Sequence, residues 1–197
     1  MIAAPLPLIL ASTSRYRVAL LSRLGLPSTA VAPAYEEEHD LPMPPSDLVA
    51  YLARRKAESL QSHNPRAVII GSDQAVAFAG DLLGKPGTPA AAEAQLARLA
   101  GHTHELLTGL CVLAPDGRIW ERVETVRLTM RPLSAAQIAR YVAADQPVDC
   151  AGSYKIEQLG IALFSAVDGR DPTAIEGLPL MALVGILAAI GLDPLTP

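Results

Sequence analysis

The sequence predicts an α/β fold in which helices flank a mixed β-sheet. Short apolar runs, typical of buried strands, alternate with segments of helical period in the first half of the chain. Hairpin signals follow in the second half, the clearest being the turn Pro115-Asp116-Gly117. Half of the 197 residues are apolar and 18% are charged, which is the composition of a globular protein.

The first half of the chain contains strands separated by helices. Leu6–Ala11 is a continuous apolar run and predicts a buried strand. Ser12-Thr13-Ser14 then offers N-cap residues for a helix over Arg15–Leu24, which Gly25 terminates. The other predicted elements are a strand over 28–32, a Pro-rich loop over 33–45, a helix capped by Ser46 and reaching about His63, a strand over 67–72, and a hairpin of 75–79 with 82–83.

The second half adds antiparallel strands and three helices. Thr88-Pro89 opens a helix with Pro at its first position. Leu106–Ala114 and Arg118–Met130 are predicted to form a hairpin that the turn Pro115-Asp116-Gly117 connects. The remaining elements are a helix capped by Ser134 and reaching about Ala144, a strand over 160–167 and a buried helix over 178–190. We expect residues 1–197 to form a single domain.

Charge and hydropathy exclude several classes of partner. The net charge of −4 provides no positive field for nucleic acid or an anionic membrane, so an anionic ligand needs a local basic cluster. The N-terminus lacks a basic region and indicates a strand, not a signal peptide. The apolar stretch Leu178–Leu192 is too short to span a bilayer comfortably. Cys111 and Cys150 lack metal-site spacing and are interpreted as buried small hydrophobes. We therefore expect a cytoplasmic protein.

A candidate anion site lies where the first strand meets the first helix. The free N–H groups of a helix N-terminus stabilise an anion, and Ser12 and Ser14 add hydroxyl donors. Arg17 lies on the first turn and can fold back onto the same anion. Ordinary capping by Ser14 explains the pattern equally well, so these residues alone leave both alternatives open.

Two acidic segments could hold a metal or move a proton. Asp73 follows an apolar strand and is predicted at its carboxyl end, where open α/β sheets bind ligands. Its carboxylate can ligate a metal or accept a proton from water. The run 36–40 in the Pro-rich loop offers carboxylates for a divalent cation, although its residues alone favour a solvated loop.

The basic residues and histidines are ambiguous by themselves. Lys85, between Gly84 and Pro86, suits a phosphate contact or a plain turn. Lys56 lies in the basic run Arg54-Arg55-Lys56 of a predicted helix and is interpreted as part of a solvated helix face. His102 and His104 share one side of a strand, but zinc needs further ligands, so a surface or capping role is favoured. The sequence contains no P-loop, no GxGxxG and no GxSxG.

Taken in order along the chain, these motifs resemble those of the Maf family of nucleotide pyrophosphatases. The matching segments are Leu10–Arg17 with Leu20-Leu21, Glu37, Lys56, Gly71–Gln74, Gly84–Pro86, His104, Thr108-Gly109, Ala151–Glu157 and Gly177–Pro179. The resemblance implies a twisted mixed sheet in two lobes with a central nucleotide cleft, commonly as a homodimer. It also implies hydrolysis of a nucleoside triphosphate, an acid anhydride, with a divalent cation such as Mg²⁺ or Mn²⁺.

The resemblance also assigns roles to individual residues. Asp73 matches the family's proton acceptor, and Glu37 matches an acid placed near the metal, so both are candidate metal ligands. The residues that match the polar and basic lining of the triphosphate site are Ser12, Ser14, Arg17, Lys56 and Lys85. Of these, Lys85 is also predicted to be a catalytic residue, like Asp73 and Glu37. One departure is Arg15, which stands where the family often has Pro; we expect little effect, because a helix can start without Pro.

Three further positions indicate the substrate branch. Members acting on dTTP and UTP typically carry Arg at the position of Tyr16 and Gln at that of Glu157. Members acting on 7-methyl-GTP carry an aromatic residue and Glu at these two positions, and Gln at the position of Gln74. A cationic base gains by stacking on an aromatic face, and a carboxylate accepts from guanine N–H groups. The resemblance therefore implies a housecleaning 7-methyl-GTP pyrophosphatase. The alternatives are a dTTP/UTP pyrophosphatase and a nucleotide-binding regulator of septum formation.

Overall fold

The computed structural model describes residues 6–36 and 41–196. The helices and strands of this part are β1 (Leu8–Ala11), α1 (Arg15–Ser22), β2 (Ser28–Val31), α2 (Pro45–Glu58), β3 (Val68–Phe78), β4 (Asp81–Leu83), α3 (Pro89–Leu99), β5 (Thr103–Leu113), β6 (Ile119–Met130), α4 (Ala135–Asp145), β7 (Phe164–Asp168) and α5 (Leu180–Ala189). Short 3₁₀ helices cover Ala151–Ser153, Leu159–Leu163 and Pro172–Glu176.

The strands form one mixed sheet, as the sequence predicts. Within the described ranges its order is β2-β1-β3-β5-β6-β7, with β4 paired to β3. β1 runs parallel to β2 and β3, and the remaining pairs are antiparallel. Helices cover the sheet, which confirms the predicted α/β class with a mixed sheet flanked by helices. No helix in the described part is long and apolar enough to cross a membrane.

The long strands β3, β5 and β6 run through two regions of core. In the first region, Leu10 and Ile70 pack with α1 and α5 on one face, while Ile9 and Ile69 pack with α2 on the other. Alternate residues of a strand point to opposite faces, so this region has three layers. In the second region, the far half of β3, beginning near Val76, packs with α3 and α4. The middle of β3 lies between the two regions.

Two glycines allow α2 to lie directly on the sheet. A Cβ atom at Gly71 of β3 would overlap the backbone oxygen of Ala53, and one at Gly109 of β5 would overlap that of Val49. Any side chain at either position would therefore push the helix away. The close approach brings the C-terminal turn of α2 to the middle of β3.

Strand β3 corrects one prediction with a functional consequence. The predicted strand 67–72 and hairpin arm 75–79 are one continuous strand, because β5 pairs with β3 from Ile69 to Ala77. Asp73 pairs with Gly109 and therefore lies in mid-strand, not at a carboxyl end. The prediction was wrong because pairing with a strand distant in sequence carries the extended backbone through a polar segment.

Two other boundaries differ from the predictions. The predicted strand 160–167 begins only at Phe164, because residues 159–163 form a 3₁₀ helix. The N–H of Gly160 there donates to the backbone oxygen of Lys155 and the carboxylate of Asp145, outside any sheet. The helix predicted to be capped by Ser46 begins at Pro45, with Pro44 as its N-cap. The caps predicted for α3 and α4 are confirmed: the hydroxyls of Thr88 and Ser134 accept from backbone N–H groups.

Candidate active site

A cleft of about 780 Å³ opens between the two core regions. Its wall combines the middle of β3, the N-terminus of α1, the turn after β4, and the segments around 149–157 and 175–177. Eight of the residues predicted for the site line it: Ser14, Tyr16, Arg17, Lys56, Asp73, Gln74, Lys85 and Glu157. The fold therefore brings together side chains that are far apart in sequence.

Asp73 and Lys56 form a buried ion pair in the cleft wall. The Nζ atom of Lys56 donates to Oδ1 of Asp73 at 2.5 Å, and the two residues are only 6% and 9% exposed. The solvated face suggested for Lys56 by its own sequence segment is therefore wrong. The pair fixes the direction of the carboxylate, and Lys56 also lines the cleft.

The N-terminus of α1 forms one side of the cleft. Ser14 is the N-cap of α1, but its side chain makes no capping bond, and its N–H donates to Oγ of Ser12 at 3.1 Å. Ser12 is 5% exposed and supports this loop from behind, outside the residues that line the cleft. Ser14, by contrast, faces the cleft beside the N–H groups of the helix N-terminus, which suits an anion.

Arg17 is held in place by the opposite wall. Its Nε donates to the backbone oxygen of Gly177 at 2.8 Å, and the hydroxyl of Ser72 donates to the same oxygen. Gly177 has φ +105°, and a Cβ there would lie 3.3 Å from Nε of Arg17, so glycine suits both the backbone and the contact. The guanidinium is thus preorganised at the rim of the cleft.

Gln74 connects β3 to the segment Pro172–Glu176. Its Nε2 donates to the backbone oxygens of Ala174 and Ile175 at 2.8 and 3.1 Å and to Oγ1 of Thr108 at 3.0 Å. These acceptors identify the nitrogen end of the amide, so the carbonyl Oε1 is at the other end. Gln74 therefore anchors this wall, and it is also one of the residues that line the cleft.

An aromatic ring and carboxylates also line the cleft. Tyr16 is half-buried, and burial raises the pKa of its hydroxyl. Burial also raises the pKa of the Glu157 carboxyl, and the negative charge of Glu176 adds to this shift. Glu176 lines the same cleft and forms an ion pair with Arg23 at 3.1 Å. The cleft lining therefore carries charges of both signs, since Arg15, Arg17, Lys56 and Lys85 line it together with Glu157 and Glu176.

Comparison with known proteins identifies the family of the chain. The family model described as Maf-like protein matches residues 7–190. The chain belongs to the Maf family. Three similar proteins carry the name 7-methyl-GTP pyrophosphatase. That of Pseudomonas putida is 46% identical over 94% of this chain and 97% of its own, and that of Alkalilimnicola ehrlichii is 46% identical over 94% of each. That of Bdellovibrio bacteriovorus is 47% identical over 91% of this chain and 95% of its own.

The sequence did not predict every residue that lines the Maf cleft, and two charged residues that it missed are Glu176 and Arg15. Only the position of Glu176 directly before Gly177 of the Gly-Leu-Pro motif could have drawn attention to it. Arg15 also lines the cleft, with its guanidinium carbon 4.8 Å from the centre of the Tyr16 ring. The sequence predicts for Arg15 only a small effect on the start of the helix. Glu37, predicted as a catalytic acid and metal ligand, lies outside the described residues.

Lys155, in the segment Ala151–Glu157 that matches the Maf family, has a structural role. It is 5% exposed, and its Nζ donates to the backbone oxygens of Asp145 and Gln146 at 2.9 and 3.1 Å. It also pairs with Asp149 at 3.3 Å. A lysine near the C-terminus of a helix satisfies the last carbonyl groups, so Lys155 caps α4.

His104 is buried, so the surface role predicted for it is wrong. It is 2% exposed, its Nε2 lies 3.1 Å from the hydroxyl of Tyr154, and its ring packs against Phe164. Its Nδ1 has no hydrogen-bond partner among the described residues. Burial lowers its pKa to about 4. His102, the other half of the predicted pair, is exposed.

His104 makes the stability of the protein depend on pH. The unfolded imidazole takes a proton near pH 6.5, whereas the folded one remains neutral until about pH 4. The unfolded state therefore binds more protons in this window, and stability falls as pH falls through it, by up to about 3 kcal/mol from this group. We expect His104→Gln to show a shallower loss of unfolding free energy than the wild type between pH 6.5 and 4 in urea titrations. Equal slopes in the variant and the wild type would refute the assignment.

Proposed function

We propose that this Maf protein is a nucleoside triphosphate pyrophosphatase that hydrolyses 7-methyl-GTP to 7-methyl-GMP and diphosphate. The main support is the buried carboxylate of Asp73, held by Lys56 in a cleft that basic side chains, an aromatic ring and carboxylates line together. The three relatives named as 7-methyl-GTP pyrophosphatases support the same reaction.

The proposed reaction begins with attack of water on the α-phosphorus. Lys56 donates to Oδ1 of Asp73, so the other carboxylate oxygen is the one to accept the proton of the attacking water. The bond from the α-phosphorus to the bridging oxygen breaks, and diphosphate leaves. Negative charge spreads over the phosphate oxygens, where Arg17 and Lys85 stabilise it by position and charge.

The aromatic and acidic residues that line the cleft suit the methylated base. The 7-methylguanine ring is cationic and gains by stacking on Tyr16. Its N1–H and exocyclic amine are donors, and the carboxylate of Glu157 and Oε1 of Gln74 are acceptors. The charge of Glu176 adds to the attraction for a cation. A pyrimidine would place a carbonyl oxygen against these acceptors, which disfavours dTTP and UTP.

A divalent cation, Mg²⁺ or Mn²⁺, forms part of the proposal. No three His, Cys, Asp or Glu side chains cluster as metal ligands within residues 6–36 and 41–196. Mg²⁺ in phosphate-transfer sites takes one or two carboxylates and obtains its other ligands from substrate oxygens and water. Asp73 in the cleft fits that mode, with Glu37 as a second proposed ligand. When bound, the cation supplies positive charge that neutralises the phosphate oxygens.

Other parts of the proposal rest on the family resemblance. We propose a homodimer, a cytoplasmic location and a role in removing modified nucleotides. A net charge of −4 and the basic side chains of the cleft lining support a nucleotide partner over nucleic acid.

Initial rates of diphosphate release test the substrate assignment. The assay compares 7-methyl-GTP, GTP, dTTP, UTP and CTP, each with Mg²⁺ and with Mn²⁺. We expect the highest kcat/KM for 7-methyl-GTP. A preference for the pyrimidine nucleotides would retain the chemistry of Asp73 and overturn the assignment of the base. Tight binding without release would favour a nucleotide-binding regulator.

A double substitution tests how the base is selected. In Tyr16→Arg with Glu157→Gln, the stacking face and the charged acceptor are both lost. We expect the ratio of kcat/KM for 7-methyl-GTP to that for dTTP to fall by about tenfold or more, since a hydrogen bond to a charged group contributes about that much. Glu93→Gln, at an exposed carboxylate on α3, is the control for the loss of one carboxylate and should leave the ratio unchanged. An unchanged ratio in the double variant would remove the basis for this selectivity.

A further inference from the structure

We propose that Arg15 competes with the substrate base for the ring of Tyr16, so that the guanidinium must leave the ring before 7-methylguanine can stack on it. This inference rests on the proposed function, because it concerns the base site of that reaction. It assigns Arg15 a role in setting substrate affinity, beyond the small effect on helix initiation predicted from the sequence.

The guanidinium of Arg15 lies on one face of the Tyr16 ring. Its central carbon is 4.8 Å from the centre of the Tyr16 ring, and its Nη2 donates to the hydroxyl of Tyr16 at 2.7 Å. Both residues line the cleft. A planar cation on the ring occupies the same face and uses the same attraction to the ring that a methylated, positively charged base would use.

A weak contact across the cleft holds Arg15 there. Its Nη2 lies 3.9 Å from Oδ2 of Asp149, and these two side chains are 69% and 50% exposed. Asp149 is in turn held by the buried Lys155 at 3.3 Å. Exposed ion pairs contribute little stability, so the guanidinium can be displaced by a ligand, but its displacement reduces the net affinity of that ligand.

The charge of Arg15 makes the competition depend on the base. A displaced guanidinium tethered at the residue next to Tyr16 remains near the base site and repels a cationic ring. A neutral guanine competes with the guanidinium for space on the ring, but the charge of the guanidinium does not repel it. Arg15 therefore weakens binding of 7-methyl-GTP more than binding of GTP.

The alternative role for Arg15 predicts the opposite sign. If its guanidinium turns to the triphosphate when substrate binds, its removal weakens binding of every nucleoside triphosphate. If it is only a solvated side chain, its removal changes nothing. The direction in which the affinity for 7-methyl-GTP changes when the Arg15 side chain is removed therefore separates competition from both alternatives.

Arg15→Ala provides the test, with Arg118→Ala as its matched control. Arg118 is also exposed and stacks on an aromatic ring, with its guanidinium carbon 5.1 Å from the Trp120 ring, away from the cleft. We expect KM for 7-methyl-GTP to fall about two- to fivefold in Arg15→Ala, the size of an exposed cation–π contact, with kcat unchanged and a smaller change for GTP. Arg118→Ala should match the wild type.

Binding of 7-methyl-GMP, measured by titration calorimetry, makes the test independent of turnover. We expect a Kd lower in Arg15→Ala than in the wild type, and little change for GMP. An equal or higher Kd in the variant overturns the competition. Failure of the wild type to hydrolyse 7-methyl-GTP would instead overturn the proposed function, and the two failures are therefore distinguishable.

Discussion

Replacing Asp73 by Asn is expected to lower kcat for 7-methyl-GTP by about 100-fold or more, the usual contribution of a positioned general base. The amide cannot accept the proton of the attacking water. Its oxygen can still accept from Lys56, so the fold should survive. Steady-state kinetics and circular dichroism of the variant measure the two effects separately. Near wild-type kcat in Asp73→Asn would exclude this carboxylate as the proton acceptor.

The ion pair predicts that Lys56 and Asp73 act as a unit. Lys56→Met leaves the carboxylate buried without its partner, which typically destabilises a protein by about 3–5 kcal/mol. Lys85→Met is the matched control, because Lys85 lines the same cleft but is exposed. We expect the control to lose activity without losing unfolding free energy. Combining Lys56→Met with Asp73→Asn should be less destabilising than the sum of the two. Additive losses would show that the pair is not coupled.

Replacing Gly71 by Ala is expected to destabilise the protein by about 3 kcal/mol or more, at the upper end of what overpacking costs. The added Cβ would meet the backbone of α2, at the oxygen of Ala53 and at the N atom of Ala57, and backbone cannot move aside as a flexible side chain can. The helix must shift outward, and Lys56 moves with it. Activity should therefore fall together with stability.

Gly185→Ala is the control for this prediction. Gly185 lies inside α5, and a Cβ there meets nothing within 4 Å. Alanine in a helix interior is favoured over glycine by about 0.5–1 kcal/mol, so this variant should be slightly stabilised. Denaturant unfolding of both variants checks the pair. A Gly71→Ala protein as stable as the wild type would mean that α2 does not lie on the sheet as closely as described.

The sequence was sufficient for the elements whose signals are local. Apolar runs, N-caps and the turn at Pro115-Asp116-Gly117 depend on neighbouring residues, and these elements appear close to their predicted places. Asp73 was recognised as a candidate from its residue type and its preceding apolar run. Its mid-strand position was missed, because it depends on pairing with Gly109, 36 positions further along the chain.

The burial of polar side chains could not be predicted from the sequence. Lys56 lies in the run Arg54-Arg55-Lys56, which reads as a solvated face. It is buried because Gly71 and Gly109 let α2 descend onto the sheet, and no local pattern relates these glycines to that helix. His104 was misplaced for the same reason, since its partner Tyr154 comes from a distant segment.

Arg15 shows the limit of transferring a family pattern. As expected, α1 begins at Arg15 without Pro. Its contact with the Tyr16 ring follows from the direction of a side chain, which the pattern does not contain.

Identification of the products of 7-methyl-GTP hydrolysis tests the central claim most directly. The reaction, run with Mg²⁺ and resolved by ³¹P NMR and ion-exchange chromatography, should yield 7-methyl-GMP and diphosphate in equal amounts, and the Asp73→Asn protein should yield almost none. Release of 7-methyl-GDP and phosphate, or unreduced turnover in the variant, would contradict α–β cleavage by the Asp73 site.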